Sequence, residues 1–232
     1  SSDSCYVIFL GQALQTVTPD ANTITNAMLG ETITVAKGGT GVTTSADLAN
    51  TGNLVHIKTI TLGSSSSAIT FLNSDADVTF DTTFNTYKFI ANVLHATDST
   101  SFYVRVSHDG TNLNSSSSQY KYNVFSTADD AYNSPNNDGL SSVWQISHNP
   151  EGNATGEHVN FEMTIFNDTN LGTPRHFTNL MGVRTDNGSE PTIASGRYIA
   201  SGTNTIKGIT FFPSSSRSWA ANSVIRMYGV RE

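Results

Sequence analysis

The side chains able to do chemistry are scattered along this chain. Its six histidines, His56, His95, His108, His148, His158 and His176, stand far apart, and none falls in the H-x-x-x-H or H-E-x-x-H spacing that brings two imidazoles onto one helical face for a metal. No metal site is assigned, and no cofactor is expected. Serines are abundant, yet none occupies the centre of a G-x-S-x-G elbow; Ser195, in Ala194-Ser195-Gly196, lacks the glycine two positions upstream. The acidic residues Asp129, Asp130, Asp138, Glu151 and Glu157 fall mostly in predicted loops, where a carboxylate serves as a solvated turn residue. No spacing marks two of them as a glycosidase pair. Gly38-Gly39-Thr40-Gly41 lacks the Lys-Ser/Thr of a phosphate-binding loop and reads as a turn. No catalytic residue is assigned, and the chain is not expected to be an enzyme.

Recognition is the chemistry that remains. Sugar binding uses an aromatic ring against the apolar C–H face of the sugar and planar amides or carboxylates against its hydroxyls. The longest predicted loop, residues 126–141, carries Tyr132 among Asn133, Asn136, Asn137 and Asp138, and so holds both kinds of group. The alternative reading is a polar loop of no special role. A second candidate is the Ser-rich turn at residues 213–220, with Arg217 and Trp219. Trp144 falls within a predicted strand and is expected in the core.

These loops hang on a chain patterned for β-structure from residue 54 onward. Residues 54–62 alternate in polarity until Gly63 and the serines after it break the pattern. Further strands are predicted at 68–72, 77–80, 86–94, 101–107, 119–125, 142–148, 158–166, 177–184, 192–200, 205–212 and 223–230. Between them stand turn-forming groups such as Asp109-Gly110, Asn136-Asn137-Asp138-Gly139 and Asp186-Asn187-Gly188. Short strands at such intervals, without a helical apolar period, predict an all-β fold, an antiparallel β-sandwich of jelly-roll type. The one helical candidate is a single turn at residues 45–50, capped by a Ser or Thr before Asp47. In strand 86–94, Tyr87, Phe89, Ala91 and Val93 share one face, and Lys88, Ile90, Asn92 and Leu94 the other. In strand 158–166, Val159, Phe161, Met163 and Ile165 oppose a mostly polar face.

Composition narrows the partners. The net charge is −7, and only 12 Lys and Arg are spread through 232 residues, so the clustered cations that phosphate backbones require are not expected. Charged residues make up 13%, against about 25% in globular proteins generally, and Ser, Thr and Asn take their place. Cys5 is the only cysteine, so no intrachain disulfide can form, and Tyr6, Val7 and Ile8 beside it suggest a buried thiol. No apolar run reaches the ~18 residues of a membrane span, and no basic segment precedes a hydrophobic one at the start. Neither nucleic acid nor membrane insertion is expected. The start at Ser1 reads as a piece of a longer polypeptide or as a processed chain.

Residues 23–41 are low in complexity, and Ile24-Thr25-Asn26-Ala27 is echoed by Ile33-Thr34-Val35-Ala36. So short a segment has too little apolar surface to offset its ordering entropy alone. It is either a flexible linker or a segment that pairs with a neighbouring domain or with copies of itself. Ile24-Thr25-Asn26-Ala27-Met28-Leu29 and Lys37-Gly38-Gly39-Thr40-Gly41 resemble the shaft-to-tip junction of phage tail fibre proteins, where I/V-T-x-A-K/M-L units recur and a G-G-T-G turn follows. Residues 5–19 resemble the last strands of a small β module that precedes such units. Residues 206–213 and 223–230 resemble the closing strands of C-terminal β-sandwich domains of phage virion proteins.

The resemblance implies three parts: residues 1–19 ending an upstream β module, 20–53 an extended shaft, and 54–232 a C-terminal β-sandwich. It implies a homotrimer wound about Ile24, Met28, Leu29, Ile33 and Val35, joined to other virion proteins upstream and located in the phage particle. The tip would bind a bacterial surface glycan or protein. Two alternatives stand beside the tail fibre: a head fibre or capsid or tail decoration protein without a receptor, and a secreted carbohydrate-binding module or carbohydrate-active enzyme. The last predicts a monomer with a deep, carboxylate-lined cleft.

Overall fold

The computed structural model of the chain describes residues 53–231, apart from residues 82, 99, 129–130, 134–135, 148–151, 168–174, 186–187, 200–204 and 215. They belong to the second of two units, Ala49–Glu232. The expectations for the upstream β module with Cys5, for the shaft residues Ile24, Met28, Leu29, Ile33 and Val35, and for the helical turn at 45–50 all lie outside the described residues.

The described residues form thirteen strands and no helix: β1 (Leu54–Thr61), β2 (Ile69–Leu72), β3 (Thr86–Val93), β4 (Phe102–Ser107), β5 (Tyr120–Ala128), β6 (Ala131–Asn133), β7 (Asn136–Ser141), β8 (Trp144–Gln145), β9 (Val159–Phe166), β10 (Arg175–Thr185), β11 (Gly188–Tyr198), β12 (Gly208–Pro213) and β13 (Val224–Val230). A nine-stranded antiparallel sheet runs β1-β13-β3-β9-β10-β11-β5-β6, with β7 also on β5, and a four-stranded sheet runs β2-β12-β4-β8. The first four strands of the large sheet and the whole of the small one are a jelly roll: the chain crosses between sheets at each early and late step, so first strand pairs with last and second with second-last. The other five strands come from two excursions. One, β5–β7, leaves after β4 and returns at β8; the other, β10–β11, leaves after β9 and returns at β12. They meet where β11 pairs with β5, and together they extend the large sheet beyond the body of the roll.

Alternation decides what fills the interior. Tyr87, Phe89, Ala91 and Val93 of β3 and Val159, Phe161, Met163 and Ile165 of β9 are buried, and Lys88 reaches Glu162 on the outer face at 2.6 Å. Between the sheets Phe211 sits edge-on or tilted against Phe71, Phe89, Phe102 and Phe161, with ring centroids 5.2–6.4 Å apart. A second aromatic group seals the extension, where Trp144 lies 4.4 Å from Phe177 and 5.6 Å from Tyr120. Trp144 is therefore core, as its strand pattern predicts. Gly196 of β11 has to be glycine: a Cβ there would stand 2.3 Å from the Lys121 carbonyl and 2.5 Å from the Phe177 ring.

Two local expectations are corrected. Residues 77–80 form no strand: Asp77 takes a left-handed φ of 64°, and the Phe80 N–H donates to Asn73 Oδ1 instead of to a neighbouring strand. Val78 and Phe80 are still buried. The alternation there reported burial, and a turn supplied it. Residues 126–141 are not a single long loop. β5 continues to Ala128, and β6 and β7 run back along its free edge, with Tyr132 opposite Thr127, Asn133 opposite Ser126, Asn136 opposite Asn123 and Asn137 opposite Tyr122; Asp138 lies within β7. The Asn, Asp and Gly residues that mark turns in sequence are tolerated here because an edge strand needs ladder hydrogen bonds on one side only, and polarity there discourages further pairing.

Candidate functional site

The outer face of the small sheet carries a groove of about 600 Å³. Its floor follows from strand period: in β4 Phe102, Val104 and Val106 turn inward, which leaves Tyr103 and Arg105 outside. In β12 Phe211 is buried and Phe212 points out, directly across from Tyr103 in the ladder. The two rings lie 5.8 Å apart. The Arg105 guanidinium carbon stands 4.8 Å from the centre of the Phe212 ring, and its Nε–H donates to the Ser142 carbonyl at 3.2 Å. That bond and the cation–π contact fix the guanidinium plane while its outer N–H groups remain for a ligand.

Arg217 closes the rim, exposed to solvent beside Ser67, Ser216 and Ser218. It is carried by a turn in which the Arg217 N–H donates to the Ser214 carbonyl and Ser214 Oγ accepts from the Ser101 N–H. Ser216 within that turn has a φ of 60°, a left-handed conformation costing a non-glycine residue on the order of 1 kcal/mol. The groove thus offers two aromatic rings, one of them under the Arg105 guanidinium, two guanidinium groups and several hydroxyls in an open depression.

The sequence-predicted residues fare unequally. Arg217 is in the groove. Trp219 is not available to any ligand: it is 0% exposed, its rings pack 4.8 Å from Phe102 and 4.7 Å from His95, and its Nε1–H donates to the Phe211 carbonyl. The Ser-rich setting suggested an exposed turn, but an indole in a short loop gains most by plugging the open end of a sandwich. Tyr132, Asn133, Asn136, Asn137 and Asp138 lie on β6 and β7, and Ser142 and Val143 just after β7 line the groove. Tyr103, Arg105 and Phe212 were missed. The signal for them was the aromatic and the cation at outward positions of strands whose partners are buried, in Phe102-Tyr103-Val104-Arg105 and Phe211-Phe212.

Among the described residues, no three His, Cys, Asp or Glu side chains converge to hold a metal ion. Among the described residues, no carboxylate lines the groove. What the arrangement can do is bind a polar ligand that has an apolar face. No family model matches this chain, and neither a curated protein nor a solved structure matches it.

Proposed function

We propose that this chain is a phage virion structural protein, a tail fibre whose C-terminal jelly roll attaches the particle to a glycan on the bacterial surface. The observation that carries the reading is the cross-strand pair Tyr103 and Phe212 in an open groove that Arg105 and Arg217 also line. Aromatic faces take the C–H side of a sugar, and guanidinium forks and serine hydroxyls take its oxygens. The shaft-like repeat around Ile24 and Ile33 supports assembly as a homotrimer joined to other virion proteins. Three heads would turn a weak single contact into firm attachment through multivalency. The groove binds without making or breaking a bond.

A glycan array probed with the labelled protein tests the reading. Binding that falls at least ~5-fold in Tyr103→Ala and in Phe212→Ala is expected, since one stacked ring contributes on the order of 1 kcal/mol or more. No binding at all would favour a head fibre or decoration protein. Release of reducing ends from host polysaccharide would favour the enzyme. Light scattering tests assembly: a mass near the 24.8 kDa of one chain, in place of about three times that, speaks against the fibre.

A further inference from the structure

The groove of the small sheet holds positive charge that its described residues do not balance. Arg105 and Arg217 both line it, and among the described residues no acidic side chain does. The salt bridges between described residues join Lys58 to Asp77 and Lys88 to Glu162, and neither involves these two arginines. Arg105 has neutral partners: the Ser142 carbonyl accepts its Nε–H, and the Phe212 ring lies under its guanidinium. Arg217 is exposed, and its turn holds it through the main chain, where its N–H donates to the Ser214 carbonyl.

Composition makes this lining unexpected. The chain has 19 Asp and Glu against 12 Lys and Arg, so a groove lined at random would sooner hold a carboxylate than two guanidiniums. Two cations in one depression repel each other, and the half-buried Arg105 has exchanged part of its hydration for a carbonyl and a ring. An anion that reaches both offsets the two costs together.

The aromatic pair says what carries the anion. Tyr103 and Phe212 stand with ring centroids 5.8 Å apart, and the Arg105 guanidinium covers Phe212 at 4.8 Å from its centre. A free phosphate or sulfate ion has no apolar surface for such rings, and a polyol phosphate has no flat C–H face. A uronic or nonulosonic acid has both within one residue, because its carboxylate is bonded to a ring carbon.

We propose that the groove selects acidic sugars: Arg217 and Arg105 take the carboxylate of a uronic or nonulosonic acid, Tyr103 takes the C–H face of the same sugar, and Ser67, Ser216 and Ser218 take hydroxyls. The proposal rests on the reading of the groove as a glycan site and names the class of glycan. Arg105 is the fixed half of the pair, since the Ser142 bond and the Phe212 ring already hold its guanidinium plane and little further ordering is needed on binding. Arg217 stands on the exposed rim, where its planar fork can meet a carboxylate through two parallel N–H bonds. The left-handed φ of 60° at Ser216 sets the backbone from which it projects.

Biolayer interferometry of the whole chain tests the proposal with polygalacturonate, alginate, hyaluronate and polysialate, each beside its carboxyl-reduced form, which keeps the rings and hydroxyls and loses the charge. Inorganic polyphosphate supplies charge without a sugar. At about 0.15 M salt, where long-range attraction is screened, at least one acidic polymer should bind about tenfold or more tightly than its reduced form, the contribution of one charge-assisted contact. Arg217→Gln should weaken that binding about tenfold with the melting temperature unchanged, and Tyr103→Ala should weaken it as well. Equal binding of an acidic polymer and its reduced form overturns the proposal and leaves the glycan reading standing. Silence on all the acidic polymers also overturns it, and the neutral glycans of the array then decide whether the glycan reading survives. Polyphosphate bound as tightly as the acidic polymer would show that charge alone is read, which overturns it too. Binding undiminished in Arg217→Gln overturns the proposal; if Tyr103→Ala leaves it undiminished as well, the groove is not the site and the glycan reading falls with it.

Discussion

The jelly-roll body and the sheet extension differ in what their interiors contain. In the body Phe211 touches four other phenylalanine rings, and Trp219 closes the end. In the extension the inward positions include Asn179 and Arg175, both buried, and the phenols Tyr120 and Tyr198. Neither amide atom of Asn179 has a hydrogen-bond partner among the described residues. On the outer face of the extension Leu180 and Ile193 are 61% and 58% exposed and pair across the ladder, more open than Leu54 and Phe166 of the body at 42% and 47%. The body therefore supplies the stability, while the excursions hang from it and carry polar and exposed groups that a self-supporting core would exclude.

The largest expected effect falls in the body. Phe211→Ala should cost about 3–5 kcal/mol in urea denaturation, because the cavity opens among four rings that cannot all collapse into it. A loss below about 1 kcal/mol would mean that the body is no better packed than the extension. Next comes Gly196→Ala, where a backbone carbonyl and the Phe177 ring already occupy the place of a Cβ; about 1–3 kcal/mol should be lost to overpacking, read in the same denaturation curves.

Buried phenols test both regions at once. Burial holds Tyr87 in the body, and Tyr120 and Tyr198 in the extension, well above the ordinary phenol value of 10.0. A raised pKa in the folded state means that their contribution is fully present below about pH 10 and is lost as pH rises past the unfolded value. Spectrophotometric titration should show these three of the eight tyrosines ionising only as the fold opens. If all eight titrate while the far-UV spectrum is unchanged, the interiors are wetter than drawn.

Asn179→Leu should stabilise the extension by about 1 kcal/mol, since it removes a buried amide left without a partner. Destabilisation would show that the amide is satisfied in solution. The smallest effect is at Gly182, on the outer face of the same hairpin as Gly196, where a Cβ would meet nothing within 4 Å. Gly182→Ala should be neutral or gain up to about 1 kcal/mol by restricting the unfolded chain. The opposite signs expected at two glycines of one hairpin separate its packed face from its open one.

Much of the fold was legible locally. Period-two alternation in Tyr87–Val93 and Val159–Phe166 named the buried side chains, and the glycines and asparagines between strands marked most of the turns, because both signals act within a few residues. Where local chemistry pointed the wrong way, a partner distant in sequence had overridden it: the edge of β5 took up Ala131–Asn133 and Asn136–Ser141 as strands, and the open end of the sandwich took in Trp219. The groove was half legible. Arg217 announced itself in a polar turn, while Tyr103, Arg105 and Phe212 looked like ordinary strand residues until β4 and β12 were laid side by side.

What the sequence by itself determined is which face of each strand is wet, since that depends only on the spacing of apolar residues along it. Which wet residues become neighbours was decided by tertiary structure alone. Arg197 and Lys121 stand 76 positions apart in the chain and opposite each other in the sheet, because strand pairing is set by the closure of the whole roll and no nearby residue records it.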